Sequence, residues 1–180
     1  KAKVPATQEF VHGVVEQGEK VIVFTAFDEP AKALARHFGE AALLLTGSTP
    51  SGKRQGLVDR FQSDPSIRVL VANIVAGGVG ITLTAARQVV FHDLDWVPAN
   101  HWQAEDRAYR IGQTGTVNVT YLVAEGTIDA FVRSVLEVKA GLVEAVVEGT
   151  GDVAPDADVL QALEAAVRAL APGLASLGDD

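Results

Sequence analysis

Short blocks rich in consecutive apolar residues alternate along the chain with longer stretches in which apolar residues recur every three to four positions. The blocks run from Val21 to Phe24, Leu43 to Leu45, Ile67 to Ala72, Gln88 to Phe91 and Val117 to Val123. Near-continuous apolar runs of this length suit strands buried on both faces, as in a parallel sheet. The stretches between them predict helices over residues 28–38, 51–61 and 98–109, with another at residues 1–17 and a long one from Thr127 to about Val147. Asp28 and Pro30 carry the chemistry of a helix start, a capping carboxylate and a proline in the first turn, and Gly39 that of a stop. Such alternation predicts an α/β sandwich with a mostly parallel sheet and right-handed crossovers. Residues 149–157 are turn-rich and predict a linker, and residues 158–180 a C-terminal helix with a frayed tail. Ligands of such folds sit beyond the carboxyl ends of the strands, which directs attention to the loops there.

Composition narrows the chemistry. The chain has 180 residues, 48% of them hydrophobic, enough for one well-cored domain and a small appendage. There is no cysteine, which excludes disulfides and thiolate chemistry, and the four histidines lack paired metal-ligand spacing, so no metal site is expected. No apolar run reaches bilayer-spanning length and no leader pattern opens the chain. The expectation is a soluble intracellular protein without a membrane role, cytoplasmic in a prokaryote and nuclear in a eukaryote. Methionine is missing even from position 1, which predicts a piece of a longer polypeptide. The net charge of −8 argues against nucleic-acid binding unless a local basic cluster dominates one groove. Acidic residues crowd the end from Glu144 onward, so that end is unsuited to face phosphates.

Four places could carry chemistry. Gln103, Arg107 and Arg110 fall at spacings that share one side of a helix, and two guanidiniums beside an amide suit a polyphosphate. A solvated helix with local ion pairs among Glu105, Asp106 and Arg107 fits the same spacing. Gly77, Gly78 and Gly80 follow the strand ending at Ala72 and let backbone approach a phosphate closely, although a tight turn uses the same residues. They form neither a P-loop nor a dinucleotide fingerprint. Asp93, Asp95 and Trp96 end the fourth strand, where the indole could stack on a base or plug the core. Gly47, Ser48, Thr49, Ser51, Lys53 and Arg54 precede or open a helix, as an anion pocket would, or as ordinary caps would.

Order and separation join these places. Together they resemble the C-terminal RecA-like lobe of the SWI/SNF family of superfamily-two DNA translocases, from about Gly18 to Val147. The block from Gln103 to Gln113, ending Arg110-Ile111-Gly112-Gln113, is similar to motif VI, and Gly77 to Gly80 to the glycines of motif V. Asp95, Trp96 and Pro98 resemble the step that follows motif V. Lys20 to Ala26 resembles motif IV, and Gly47, Ser48, Thr49 and Arg54 the segment after it. The wording around Gln103 to Arg107 and from Tyr121 to Thr127 looks most like the annealing-helicase branch. Three positions depart from the pattern: Val97 replaces an asparagine, Asn73 a serine or threonine, and Val75 a frequent basic residue, which weakens the expected grip of that loop on DNA.

The resemblance implies a RecA-like three-layer α/β/α lobe over residues 1–148. It implies Arg110 as an arginine finger, Arg107 as its neighbour on the γ-phosphate, and Gln103, Gly78 and Gly80 as ATP-binding positions. Thr25, Gly47, Ser48, Arg54 and Asn73 would contact the backbone of double-stranded DNA without reading its sequence, and Trp96 would touch DNA or couple hydrolysis to stepping. Phosphoryl transfer also needs a lysine-bearing phosphate loop and an acidic pair for magnesium, and neither is in this sequence. ATP and Mg²⁺ would therefore be held mainly by an N-terminal RecA-like lobe, leaving this chain inactive alone as an ATPase. The alternative is a stand-alone non-catalytic lobe that binds DNA or a protein. An RNA-directed helicase fits less well, since its motif VI lacks the Arg-Ile-Gly-Gln ending.

Overall fold

The computed structural model describes residues 3–77, 81–124, 127, 129–130 and 132–137. Two compact units divide the chain, Lys1–Val123 and Ala124–Asp180. In the first, α1 (Lys3–Glu16) leads to β1 (Val21–Thr25), α2 (Asp28–Phe38), a 3-10 turn (Gly39–Ala41), β2 (Ala42–Leu45) and α3 (Ser51–Ser63). There follow β3 (Val69–Asn73), the short α4 (Ile74–Gly77), β4 (Gln88–Phe91), α5 (Pro98–Ala108) and β5 (Asn118–Tyr121). The five strands form one sheet in the order β2-β3-β1-β4-β5, with every pairing parallel.

Alternation along the strands builds the two faces. Ile22, Phe24, Leu70, Ala72, Val89 and Phe91 point to one side, where Val58 and Phe61 of α3 and Ala104 and Ala108 of α5 cover them. Val21, Val23, Val69, Val71 and Val90 point to the other, under Val11 and Val14 of α1 and Ala31 and Leu34 of α2. The inner strands are buried on both sides, which is why their apolar runs were continuous in the sequence. The chain leaves β1 on the α2 face and β3 on the opposite face, so the carboxyl ends of these neighbours open a crevice at the topological switch point.

Element ends largely follow the sequence expectation. Asp28 does not cap α2: Phe27 holds that position in extended conformation with no side-chain cap, and Asp28 and Glu29 instead place charge in the first turn, where it favours the helix dipole. Gly39 does stop the helix, at φ 56°. Ile74–Gly77, for which no element was expected, makes one helical turn. Lastly, α5 closes at Ala108, so Arg107 is helical and Arg110 is not.

Polar ties fix α1 and α3 to the sheet. Thr7 Oγ1 lies 2.6 Å from the buried His92 Nδ1, and Lys3 Nζ donates to Leu122 O at 3.0 Å. Lys20 lies over the Phe61 ring and donates to Phe61 O and Asp64 O, and burial, with Arg68 nearby, holds its ammonium below the usual lysine range against the pull of Asp64. In the second unit, residues 129–130 and 132–137 are helical. Asp129 N–H donates to Thr127 Oγ1 at 3.2 Å, and Asp129 Oδ2 accepts from Ala124 N–H at 3.2 Å, a cap at the expected helix start. Gly78, Gly80, the expected helix beyond Glu137, the linker at 149–157 and the helix at 158–180 lie outside the described residues.

Candidate functional site

A pocket of ≈ 340 Å³ occupies the switch-point crevice, lined among others by Ala26, Gly47, Arg54, Asn73 and Asp95. Four loops following different strands converge there. The turn after β2 is knit by its own hydroxyls: Thr46 N–H donates to Thr49 Oγ1 at 3.0 Å, and Thr46 Oγ1 and Ser48 Oγ lie 2.7 Å apart. Arg54 closes it from α3, with Nε donating to Thr49 O at 3.0 Å and a terminal nitrogen to Gly47 O at 3.2 Å. The expected capping by Ser48, Thr49 or Ser51 is not made. Pro50 holds the N-cap of α3 without a side-chain bond and its carbonyl accepts from Lys53 N–H at 2.9 Å, which leaves the Ser51 and Gly52 amides of the first turn for an anion.

Asn73 ends β3 beside Arg54. Its Oδ1 is buried and has no hydrogen-bond partner among the described residues. An amide in this position can turn either end toward a ligand, and a phosphate oxygen would take its N–H. Thr25, at the end of β1, is 0% exposed and gives its hydroxyl hydrogen to Phe27 O at 2.8 Å. It therefore shapes the loop rather than presenting a donor. Val75, where a base was missing from the pattern, is exposed at the pocket margin.

The loop after β4 forms the next wall. Asp95 Oδ1 accepts from Val97 N–H at 2.8 Å, a side-chain turn that leads into α5. Trp96 projects from this turn, half-exposed rather than packed into the core. On α5, Gln103 is exposed and Arg107 partly buried one turn later. Arg107 Nε is itself buried. Arg110 lies past the helix end and donates from one terminal nitrogen to Ile81 O at 3.4 Å and Thr82 Oγ1 at 3.3 Å. These acceptors immediately follow the Gly78–Gly80 segment, so the end of the arginine block adjoins the residues leaving the glycine block. The common helical face inferred for Arg107 and Arg110 is not formed. The fold instead brings Arg110 to Ile81 and Thr82.

Comparison with known proteins now has a geometry to explain. Residues 2–112 match the family described as Helicase conserved C-terminal domain. The chain belongs to that family. One relative, the DNA annealing helicase and endonuclease ZRANB3 of Mus musculus, is 38% identical over 152 residues, covering 82% of this chain and 14% of that protein. A SWI/SNF-related, DEAD/H box-containing regulator of chromatin from Danio rerio is 39% identical over 117 residues, 63% of this chain and 12% of its own length. Among solved structures, the C-terminal part of the Fun30 ATPase domain aligns with TM-score 0.69 and 32% identity, covering 74% of this chain and 44% of that one. The Sulfolobus solfataricus SWI2/SNF2 ATPase core in complex with dsDNA aligns with TM-score 0.64 and 33% identity, covering 78% and 30%. The chain thus spans about a seventh of the length of the curated relatives it matches. The SWI/SNF-type RecA-like lobe expected from the motifs is the fold found.

Within this helicase C-terminal lobe, three side chains that sequence reasoning passed over hold the site together. Gln113 donates through Nε2 to Thr84 O, Ala86 O and Ala108 O at 3.2, 3.0 and 3.3 Å, and its Oε1 accepts from Thr114 N–H and Gly115 N–H. It was quoted only as the end of a motif. His101 is buried beneath the Asp95 turn, and Tyr121 stacks on Phe91 with ring centroids 4.7 Å apart. Tyr121 donates to Glu105 of α5, and partial burial together with that carboxylate pushes its phenol above the usual tyrosine range. No sequence signal marks His101 or Tyr121 as site residues, because Tyr121 meets Phe91 through the β4–β5 pairing and His101 meets Asp95 only once α5 folds back beneath its loop. Among the described residues no group of three or more His, Cys, Asp or Glu is placed to hold a metal.

Proposed function

We propose that this chain is the second motor lobe of an ATP-dependent translocase on double-stranded DNA, presenting arginines to a nucleotide held by an N-terminal lobe. The observation that carries the reading is Arg110, exposed just past the end of α5 and held, among the described residues, by two long contacts to Ile81 and Thr82. ATP supplies the phosphoryl group whose transfer to water drives the motor. The donor set here is cationic and amide-rich, which fits the anionic end of that nucleotide and leaves magnesium to the other lobe.

Arg110 concentrates positive charge where the γ-phosphate oxygens gain negative charge, with Arg107 and Gln103 orienting the same end. Gly78 and Gly80 are further ATP-binding positions in this reading. Arg54, Gly47, Ser48 and Asn73 meet successive phosphates of one DNA strand, with Thr25 shaping the adjoining loop and Trp96 touching the duplex. Phosphate contacts carry no base information, so binding is independent of sequence and weakened by salt. Lobe closure around ATP and opening after hydrolysis then advance the duplex.

The deciding experiment measures ATP hydrolysis by the full-length protein with and without duplex DNA, beside Arg110→Ala and the isolated chain. DNA-stimulated turnover that vanishes in the variant, while folding and nucleotide binding persist, with no turnover by the isolated chain, is the expected result. Absent hydrolysis, or hydrolysis indifferent to Arg110→Ala, would leave a non-catalytic lobe that binds DNA or protein.

A further inference from the structure

The pocket and the arginines lie at opposite ends of one rigid connection. At its start, Asp95 lines the pocket and Trp96 projects beside it. At its end, α5 carries Arg107 and leads directly to Arg110. Between them stands His101, 3% exposed, one turn into α5. Its Nε2 lies 3.0 Å from Asp95 N and 3.1 Å from Asp95 O. One tautomer accepts from the amide and the other donates to the carbonyl, so either holds the backbone of the same residue. Its Nδ1 is buried with no partner among the described residues, so Asp95 is the ring's polar attachment there.

The ring is also wedged in place. Its centroid lies 4.8 Å from Phe91 and 5.5 Å from Tyr121, and Tyr121 in turn is bonded to Glu105 on the same helix. A histidine that only filled a core gap would not leave one nitrogen unsatisfied to clasp a loop with the other. Burying that nitrogen unpaired costs free energy that phenylalanine would avoid.

We infer that His101 is a positioning residue that joins the Asp95–Trp96 loop to the arginine-bearing end of α5, so that DNA seated in the pocket sets where Arg107 and Arg110 stand. Displacement of the loop is carried to α5 through the Nε2 contact instead of being lost in the turn at Val97. The inference rests on the motor reading proposed above.

The test measures ATP turnover of the full-length protein without DNA and across a titration of duplex DNA, for wild type, His101→Phe, His101→Gln and Arg110→Ala, with melting temperatures for each. His101→Phe keeps the aromatic contacts and removes the clasp. Its basal kcat and KM for ATP are expected to stay within about two-fold of wild type while kcat at saturating DNA falls about ten-fold. In His101→Gln the amide both donates and accepts, and it restores most of that loss. Should His101→Phe not fold, His101→Asn, with an amide too short to span the gap, takes its place. Parallel loss of basal and DNA-saturated rates, or an unchanged DNA-saturated rate, overturns the positioning role. A wild type that DNA does not stimulate overturns the motor reading instead. Stimulation lost in Arg110→Ala but kept in His101→Phe overturns this inference alone.

Discussion

Arg54 stands by the pocket at the carboxyl ends of the strands and Arg110 just past the far end of α5, and the fold treats them in opposite ways. Arg54 spans two carbonyls of the turn beside it at 3.0 and 3.2 Å, in a turn whose hydroxyls are already bonded to one another. Arg110 hangs beyond the end of α5 on contacts of 3.3 and 3.4 Å made by a single terminal nitrogen. The first guanidinium is set before any ligand arrives, which suits a phosphate that looks the same at every step along a duplex. The second can leave its contacts at little cost, which suits a group that completes a site only when a second lobe closes. How far a fold has already satisfied a cation thus helps to separate a grip from a trigger.

The largest effect that could break this contrast is catalytic. Arg110→Ala should lower DNA-stimulated hydrolysis by about 10³ or more while shifting the melting temperature little, as steady-state turnover and thermal unfolding would reveal. A large fall in stability would make Arg110 a structural group like its neighbours. Next comes Gln113, the tightly held counterpart of Arg110 on the same segment. In Gln113→Glu a carboxylate replaces the amide N–H groups before three carbonyls, and chemical denaturation should register a loss of about 2 kcal/mol. Smaller again, Arg54→Ala should weaken duplex binding about ten-fold and lower the slope of log affinity against log salt by about one, and Arg54→Lys should not restore it because an ammonium cannot span both carbonyls.

The smallest effect concerns pH. The Tyr121 phenol ionises more readily in the unfolded chain, near its ordinary value of 10.0, than in the fold, where its range is raised. Its contribution to stability is therefore complete below pH 10 and is lost as pH climbs beyond that value. Unfolding measured at neutral and alkaline pH should show a smaller alkaline decline in Tyr121→Phe than in wild type.

The inner strands β1, β3 and β4 were legible because their runs are buried on both faces, so apolar sequence translates directly into strand. Helix ends were less so. Asp28 at the first helical position and Asp28 as a cap give the same sequence, and Phe27 held the cap instead. α5 ends within one residue of the expected 109, and Arg110 shares no face with Arg107 because it already lies beyond that end. Motif wording found Arg107 and Arg110 but not the contact with Ile81 and Thr82. That contact depends on how the chain packs after α4. His101 was invisible for a similar reason: its meaning comes from Asp95, Phe91 and Tyr121, which sequence spacing does not bring together.

The chain has two tryptophans, and the fold places both, Trp96 and Trp102, within the stretch that joins the pocket to the arginines. They are 46% and 41% exposed, so each indole senses solvent and any surface that docks against it. The hydrophobic core contains none. Intrinsic tryptophan emission is consequently a label-free reporter of this one junction. A change in its colour or quenching on adding duplex or nucleotide would come from this junction, and an unfolding curve followed by it would track α5 and its loop before it tracked the sheet.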